Sequence, residues 1–192
     1  GVEPIKKLAL ECEQHADIVI NDFFNYQAVQ NECHKRFKII TAISCFYDLQ
    51  DPNQFLEDVV KLLDKDGIFV VQQNYLVGML QQNAFDNIVH EHLEYFSLLS
   101  LENLLNRHGL EVFHVTLNDI NGGSFRTFIA KKGIKKIDDS VPALRLAELA
   151  IRLNKMETYR KFADRIESIV AELYALVSSL VDEGKTVYTY SA

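Results

Sequence analysis

Residues 110–131 read LEVFHVTLNDINGGSFRTFIAK: an apolar stretch from Leu110 to Thr116, a loop containing Asn121-Gly122-Gly123, and a second apolar stretch from Ser124 to Lys131. Branched and aromatic residues dominate both stretches, as the half-buried surface of a sheet requires. The loop between them is too short for a crossover helix, so the two strands are antiparallel neighbours and form a hairpin. A helix over Leu101–His108 precedes the hairpin and stops at Gly109.

Upstream the pattern is different. Pro4–Ala16 reads as a helix, with Pro near its start and Ile5, Leu8 and Cys12 at helical spacing. Ile18–Asn21 is a short apolar run ending in Asp22, as a buried strand would end, and a second helix covers Tyr26–Lys35. Phe37–Ser44 reads as an interior strand, and Asp51-Pro52 opens a helix through Leu63 with Phe55, Val59, Leu62 and Leu63 on one face. A turn at Asp64-Lys65-Asp66-Gly67 leads into a strand over Ile68–Gln72. Strands separated by helices imply a parallel sheet with right-handed crossovers, here finished by the antiparallel hairpin.

Ser140–Gly184 is helical throughout. Tyr159, Phe162, Ile166, Ile169, Leu173, Leu176 and Leu180 alternate steps of three and four along one long helix. That seam fits a dimer contact, or packing against the remainder of a C-terminal domain, which is the commoner use of so few heptads. The chain has no initiator Met, opens on what reads as the end of a strand, and closes on Thr186–Tyr190, which reads as a strand beginning. It is therefore expected to be cut inside folded units at both ends: a domain over residues 1–134 lacking its N-terminal part, and a truncated helical start of another over 135–192.

With 192 residues, 48% of them hydrophobic and 24% charged, the composition is that of a globular protein with material for a full core. A net charge of −7 argues against a general nucleic-acid binder, which needs a basic surface. No apolar run is long enough to span a bilayer. Cys12, Cys33 and Cys45 are odd in number and lack CxxC spacing, so neither a disulfide framework nor a zinc site is indicated, and a reducing cytoplasm is the expected location.

Several places carry candidate chemistry. Glu3, before Pro4, sits where the acidic residue at the end of a second strand accepts hydrogen bonds from the ribose hydroxyls of an adenine nucleotide. Asp22-Phe23-Phe24 ends the next strand: its rings could flank an adenine while Asp22 accepts from the amino group, or one Phe is core and Asp22 caps the following helix. Ser44, closing its own strand, is expected on the same cofactor side. His90-Glu91-His92 is the densest cluster. Alternate histidines on an extended backbone could hold a metal, but no further Cys/His cluster supports that and none is expected. A general base is the better reading, with Glu91 orienting a ring; one His satisfied by backbone is the structural alternative. Asp48, Tyr75 and the Asn121-Gly122-Gly123-Ser124 turn are expected to face the substrate, although a plain tight turn explains the paired glycines nearly as well.

A parallel sheet closed by an antiparallel hairpin resembles the class I methyltransferases, and longer stretches are similar to the sugar C-methyltransferase family. These are Phe46-Tyr47-Asp48-Leu49-Gln50-Asp51-Pro52, the run from Asn83 through His90-Glu91-His92-Leu93 to Ser97, His108–Phe113, Asn121–Arg126, and Gly184-Lys185-Thr186-Val187-Tyr188. The resemblance implies an α/β, Rossmann-like methyltransferase fold leading into a truncated C-terminal α/β domain. It implies S-adenosylmethionine as cofactor and a small-molecule substrate, a nucleotide-linked keto-sugar. The reaction it implies is removal of the proton beside the ketone and attack of the enolate on the sulfonium methyl, with His92 as the base. Some members carry Tyr where this chain has Val89 and His where it has Asp48, so the substrate contacts differ. Rival readings are another adenine-nucleotide enzyme, such as a dehydrogenase or epimerase, which lacks the terminal hairpin, and a non-catalytic binding module, in which His90, His92 and Glu3 would point into unrelated packing.

Overall fold

The structure is a computed structural model and describes residues 1–190. Four strands form one mixed sheet: β1 (Phe37–Ile43), β2 (Leu63–Asn74), β3 (Leu110–Asn118) and β4 (Ser124–Lys131), in the order β1-β2-β4-β3. β1 and β2 are parallel and connected through helix α3 (Pro52–Leu62), whereas β4 runs antiparallel to both β2 and β3. The hairpin folds as its sequence predicts, and its second strand returns to the sheet interior. This topology brings the last residues of β1 and β2 and the first of β4 to one end, where Asn74 lies opposite Ser124. Ligands bind at that end of parallel sheets.

Asp51 caps α3, its Oδ1 accepting from the Gln54 N–H at 3.0 Å, with Pro52 as the first helical residue. The face carrying Leu56, Val59 and Leu62 is buried. Leu56 and Val59 share a core with Phe46, Phe69, Val71, Phe125 and Ile129 and with Leu98, Leu101 and Leu105 of α5 (Leu98–Arg107). Each such burial stabilises the fold by about 1.5–3 kcal/mol.

The observed elements depart from expectation at four places. Asp64–Gly67 is not a turn between helix and strand: β2 starts at Leu63, and the extra residues form a bulge, since Phe37 pairs with Leu63 but Ile39 with Ile68. Lys38 reaches across to Asp64 and Asp66, and a Cβ on Gly67 would lie 2.8 Å from the Phe37 carbonyl oxygen. Ile18–Asn21 shrinks to a single parallel bridge between Ile20 and Val2, which stands outside the four-stranded sheet. The first helix, α1, is confined to Lys6–Cys12, and α2 covers Tyr26–Glu32. Thr186–Tyr190 forms no strand and is exposed.

Between these, α4 (Leu76–Gln82) follows β2 directly, while α6 (Ser140–Ile151) and α7 (Met156–Asp182) follow the hairpin. The first part of the α7 seam packs on α4, Phe162, Tyr159 and Ile166 meeting Met79 and Leu80. Farther along, Leu173 and Leu176 are exposed. No helix among the described residues is long and apolar enough to cross a membrane.

Candidate active site

Asn87 is the hub of the site. It lies in a short 3-10 turn, Phe85–Asn87, after α4, and is almost fully buried. Its Oδ1 accepts from Asn74 Nδ2 at 2.6 Å, and its Nδ2 donates to the carbonyls of Ala84 and Asn121, both at 3.3 Å. Its own carbonyl accepts from His92 Nδ1 at 2.8 Å and from the Tyr95 hydroxyl at 3.2 Å. A carbonyl can only accept, so Nδ1 carries the proton and the neutral ring has its lone pair on Nε2. The ring stands edge-on to Tyr47, centroids 4.6 Å apart, and the Tyr47 carbonyl accepts from the Leu93 and Glu94 N–H groups. His92 is thus held in position and tautomer, with the lone pair on Nε2.

The two histidines are not on one extended face. His90 and Glu91 are the corners of a turn closed by the His92 N–H on the Val89 carbonyl at 3.2 Å, and both are exposed. Glu91 makes no hydrogen bond to either ring; the Asn87 carbonyl does the orienting instead. Asp48 lies close enough to feel both neighbours. Burial raises its carboxyl above the usual range, Glu91 adds to that, and His92 opposes it. Among the described residues no group of His, Cys, Asp and Glu could hold a metal ion.

Asn121-Gly122-Gly123-Ser124 forms the wall behind this loop. Asn121, Gly122 and Gly123 all have positive φ. A Cβ on Gly122 would lie 2.9 Å from the Ala84 Cβ, and one on Gly123 would lie 3.2 Å from the Gly78 Cα. The Ser124 hydroxyl is buried and donates to the Ile120 carbonyl at 2.7 Å, so it shapes the turn. Tyr75 does not open onto the site through its side chain. It is buried, its hydroxyl donates to Glu148 at 2.9 Å, and its N–H holds the Gly123 carbonyl at 3.0 Å.

The cofactor-side candidates lie apart, around the Val2–Ile20 bridge. Glu3 donates its N–H to the Ile20 carbonyl, and its Oε1 accepts from the Ile5 N–H at 2.8 Å, leaving Oε2 without a partner among the described residues. Asp22 accepts from the adjacent Phe23 N–H, while the cap of α2 is Asn25, whose Oδ1 takes the Ala28 N–H at 2.8 Å. Phe23 is 75% exposed; Phe24 stacks on Phe55 with centroids 4.5 Å apart and belongs to the core. Ser44 closes β1 with φ +54° and donates its N–H to the Gln72 carbonyl. An apolar cavity of about 410 Å³, walled by Val2, Ile20, Phe24, Ile40, Ala42 and Phe55, separates the bridge from β1.

Residues 5–115 match the profile of the methyltransferase domain, more than half of the chain. The chain belongs to the methyltransferase domain family. Residues 119–192 match a second profile, the C-methyltransferase C-terminal domain. The C-methyltransferase NovU of Streptomyces niveus is 35% identical over the whole of this chain, which spans 46% of that relative's length. The methyltransferase fold is also seen in the complex of the Haloferax volcanii Trm112 methyltransferase activator with a protein described as a methyltransferase. The likeness has a TM-score of 0.51, 12% identity, and coverage of 68% of this chain and 70% of that one.

Asn87, Asn74 and Tyr47 were assigned no role from sequence, although Asn87 lies inside the run that resembles the sugar C-methyltransferases. The signal available was the series of short polar residues Asn83, Asp86 and Asn87, which suit a turn rather than a helix.

Proposed function

We propose that the protein is an S-adenosylmethionine-dependent C-methyltransferase that acts beside the ketone of a nucleotide-linked keto-sugar. The observation that carries this reading is the tautomer of His92, fixed by the Asn87 carbonyl with Nε2 free. The matched C-methyltransferase C-terminal domain and the NovU relative support carbon as the acceptor atom. The residues around the bridge suit an adenosine group: the unpartnered Glu3 oxygen can accept from ribose hydroxyls, and the exposed Phe23 ring can cover a base. The cofactor supplies an electrophilic methyl group.

His92 Nε2 takes the proton from the carbon beside the ketone, and the electron pair of that C–H bond moves into the enolate. Asp48 and Glu91 stabilise the imidazolium that results. Asn121, Gly122 and Gly123 form the wall against which the sugar rests. Residues 1–134 hold the cofactor and the base, and 135–192 begin the C-terminal domain.

His92→Asn in the whole protein is expected to cut turnover by about 10²–10⁴-fold, the usual effect of losing a general base. Cofactor affinity by calorimetry is expected to be unchanged, and solvent deuterium should no longer enter the substrate carbon. Retained turnover in His92→Asn with loss in His90→Asn would move the base to His90.

A further inference from the structure

The loop carrying His92 runs from the end of α4 to the start of α5, and one buried carboxylate from α6 touches what flanks it on both sides. Glu148 is fully buried. Its Oε1 accepts from the Tyr75 hydroxyl at 2.9 Å and from the Leu98 N–H at 2.5 Å, and its Oε2 accepts from the Leu99 N–H at 2.9 Å. Tyr75 immediately precedes α4, and Leu98 and Leu99 open α5. Backbone bonds join the same two places, the Leu76 N–H donating to the Phe96 carbonyl at 3.0 Å.

Ser97 caps α5 by taking the Ser100 N–H on its Oγ and the Leu101 N–H on its carbonyl, and Glu148 takes the two first-turn N–H groups that Ser97 leaves. Helix capping alone does not account for this residue, because it also takes the Tyr75 hydroxyl. A carboxylate without a cation is expensive to bury. The nearest basic side chain on its own helix, Arg145, is committed to Glu102 by two hydrogen bonds of 2.6 and 2.8 Å. Glu148 is met instead by three neutral donors and the N-terminus of α5, whose dipole favours a negative charge. Burial, together with the adjacent Glu148, raises the Tyr75 hydroxyl well above its ordinary range, so it remains a donor. Tyr75 also holds Gly123 through its N–H, so the carboxylate bears on the glycine wall as well as on the loop.

We propose that Glu148 is a positioning residue for the His92 loop: it ties the starts of α4 and α5 together and thereby sets where His92 stands. This rests on the reading of His92 as the base. The first structured helix of the C-terminal region is then part of the catalytic apparatus of the methyltransferase domain.

The test compares Glu148→Gln, Tyr75→Phe and Arg145→Ala in the whole protein, by hydrogen exchange and by turnover of a nucleotide-linked keto-hexose. A glutamine offers one acceptor oxygen and faces a donor with its NH₂, so one of the three bonds becomes a clash of donors. Glu148→Gln is expected to speed exchange at residues 87–97 and lower kcat about 10–100-fold, with S-adenosylmethionine affinity unchanged. Tyr75→Phe, which keeps the carboxylate on α5, should act in the same direction less strongly, and it decides the matter if Glu148→Gln does not fold. Arg145→Ala weakens the same α5–α6 contact without touching the loop anchors, so it should lower the thermal midpoint and leave both readouts alone. Normal loop exchange and kcat in the first two variants, or equal effects in all three, would overturn the proposal. The exchange arm does not depend on which residue is the base, so failure of His92→Asn to lose turnover is distinguishable from failure of the clamp.

Discussion

The two ends of the candidate site are built differently. At the His92 end, the loop is held by Asn87, Asn74, Tyr47 and the glycine turn through a network of hydrogen bonds inside the fold, with the Asn74 Oδ1 buried and unpartnered among the described residues. At the Glu3 end, one bridge and a few local hydrogen bonds hold a segment that carries an exposed phenylalanine. The first end hangs from β2 and β4, the two interior strands of the sheet; the second hangs from a bridge outside it. A base must be oriented to a fraction of an ångström, whereas a ribose can be gripped by groups that settle around it. Substitutions at the first end should therefore cost folding stability and turnover together, and those at the second should cost ligand affinity alone.

Leu101→Ala is the hardest test of the first half of that contrast. Leu101 is fully buried on α5, the helix that follows the His92 loop, and its truncation should cost about 2–5 kcal/mol in chemical denaturation. Asn87→Ala comes next. It strands the amide of Asn74 and the carbonyl of Asn121, a loss of about 1–3 kcal/mol. The backbone carbonyl that holds His92 remains but loses the side-chain bonds that fix its turn, so kcat should fall as well. Stability lost with kcat intact would separate the hub from the chemistry. Glu3→Ala probes the other end: denaturation should shift by less than about 0.5 kcal/mol, while S-adenosylmethionine affinity falls about tenfold. A stability loss matching that of Asn87→Ala would erase the distinction between the ends.

The smallest effect is electrostatic. Asp48 holds its proton to higher pH than an ordinary carboxyl, chiefly through burial. A raised folded pKa means that its contribution to stability is present below the ordinary value of 3.8 and is lost as pH rises through the raised one. By NMR titration its midpoint should lie above 3.8, move down in Glu91→Gln, and move up in His92→Asn, since His92 is the group that lowers it.

The sheet was legible because Phe37–Ile43 and the hairpin carry branched and aromatic residues at strand spacing, and because α3 and α5 show apolar residues at helical spacing. The bulge at Asp64–Gly67 was not, since turn-forming residues look the same whether the chain reverses or merely swells out of a ladder. His92 could be singled out by type, but its tautomer could not: that depends on a backbone carbonyl, which every residue has and no sequence pattern marks. Tyr75 and Phe24 are both site candidates in the sequence, yet the Tyr75 hydroxyl and the Phe24 ring are taken up by Glu148 and Phe55. Those partners lie far along the chain, where local spacing says nothing.

Gly78 of α4 and Gly123 of the hairpin turn meet backbone to backbone: a Cβ on either would come within 3.3 Å of the other's Cα. Side-chain contacts can drift as one residue is exchanged for another of similar bulk, and pockets acquire new preferences that way. This contact has no side chain to exchange. Any residue but glycine drives the helix and the turn apart, and the loop that begins at the end of that helix moves with it. Variation in substrate choice should therefore accumulate at Asp48, Val89 and the exposed tip of the loop, while the spacing of these two segments stays fixed as a hard stop on how far the site can be remodelled.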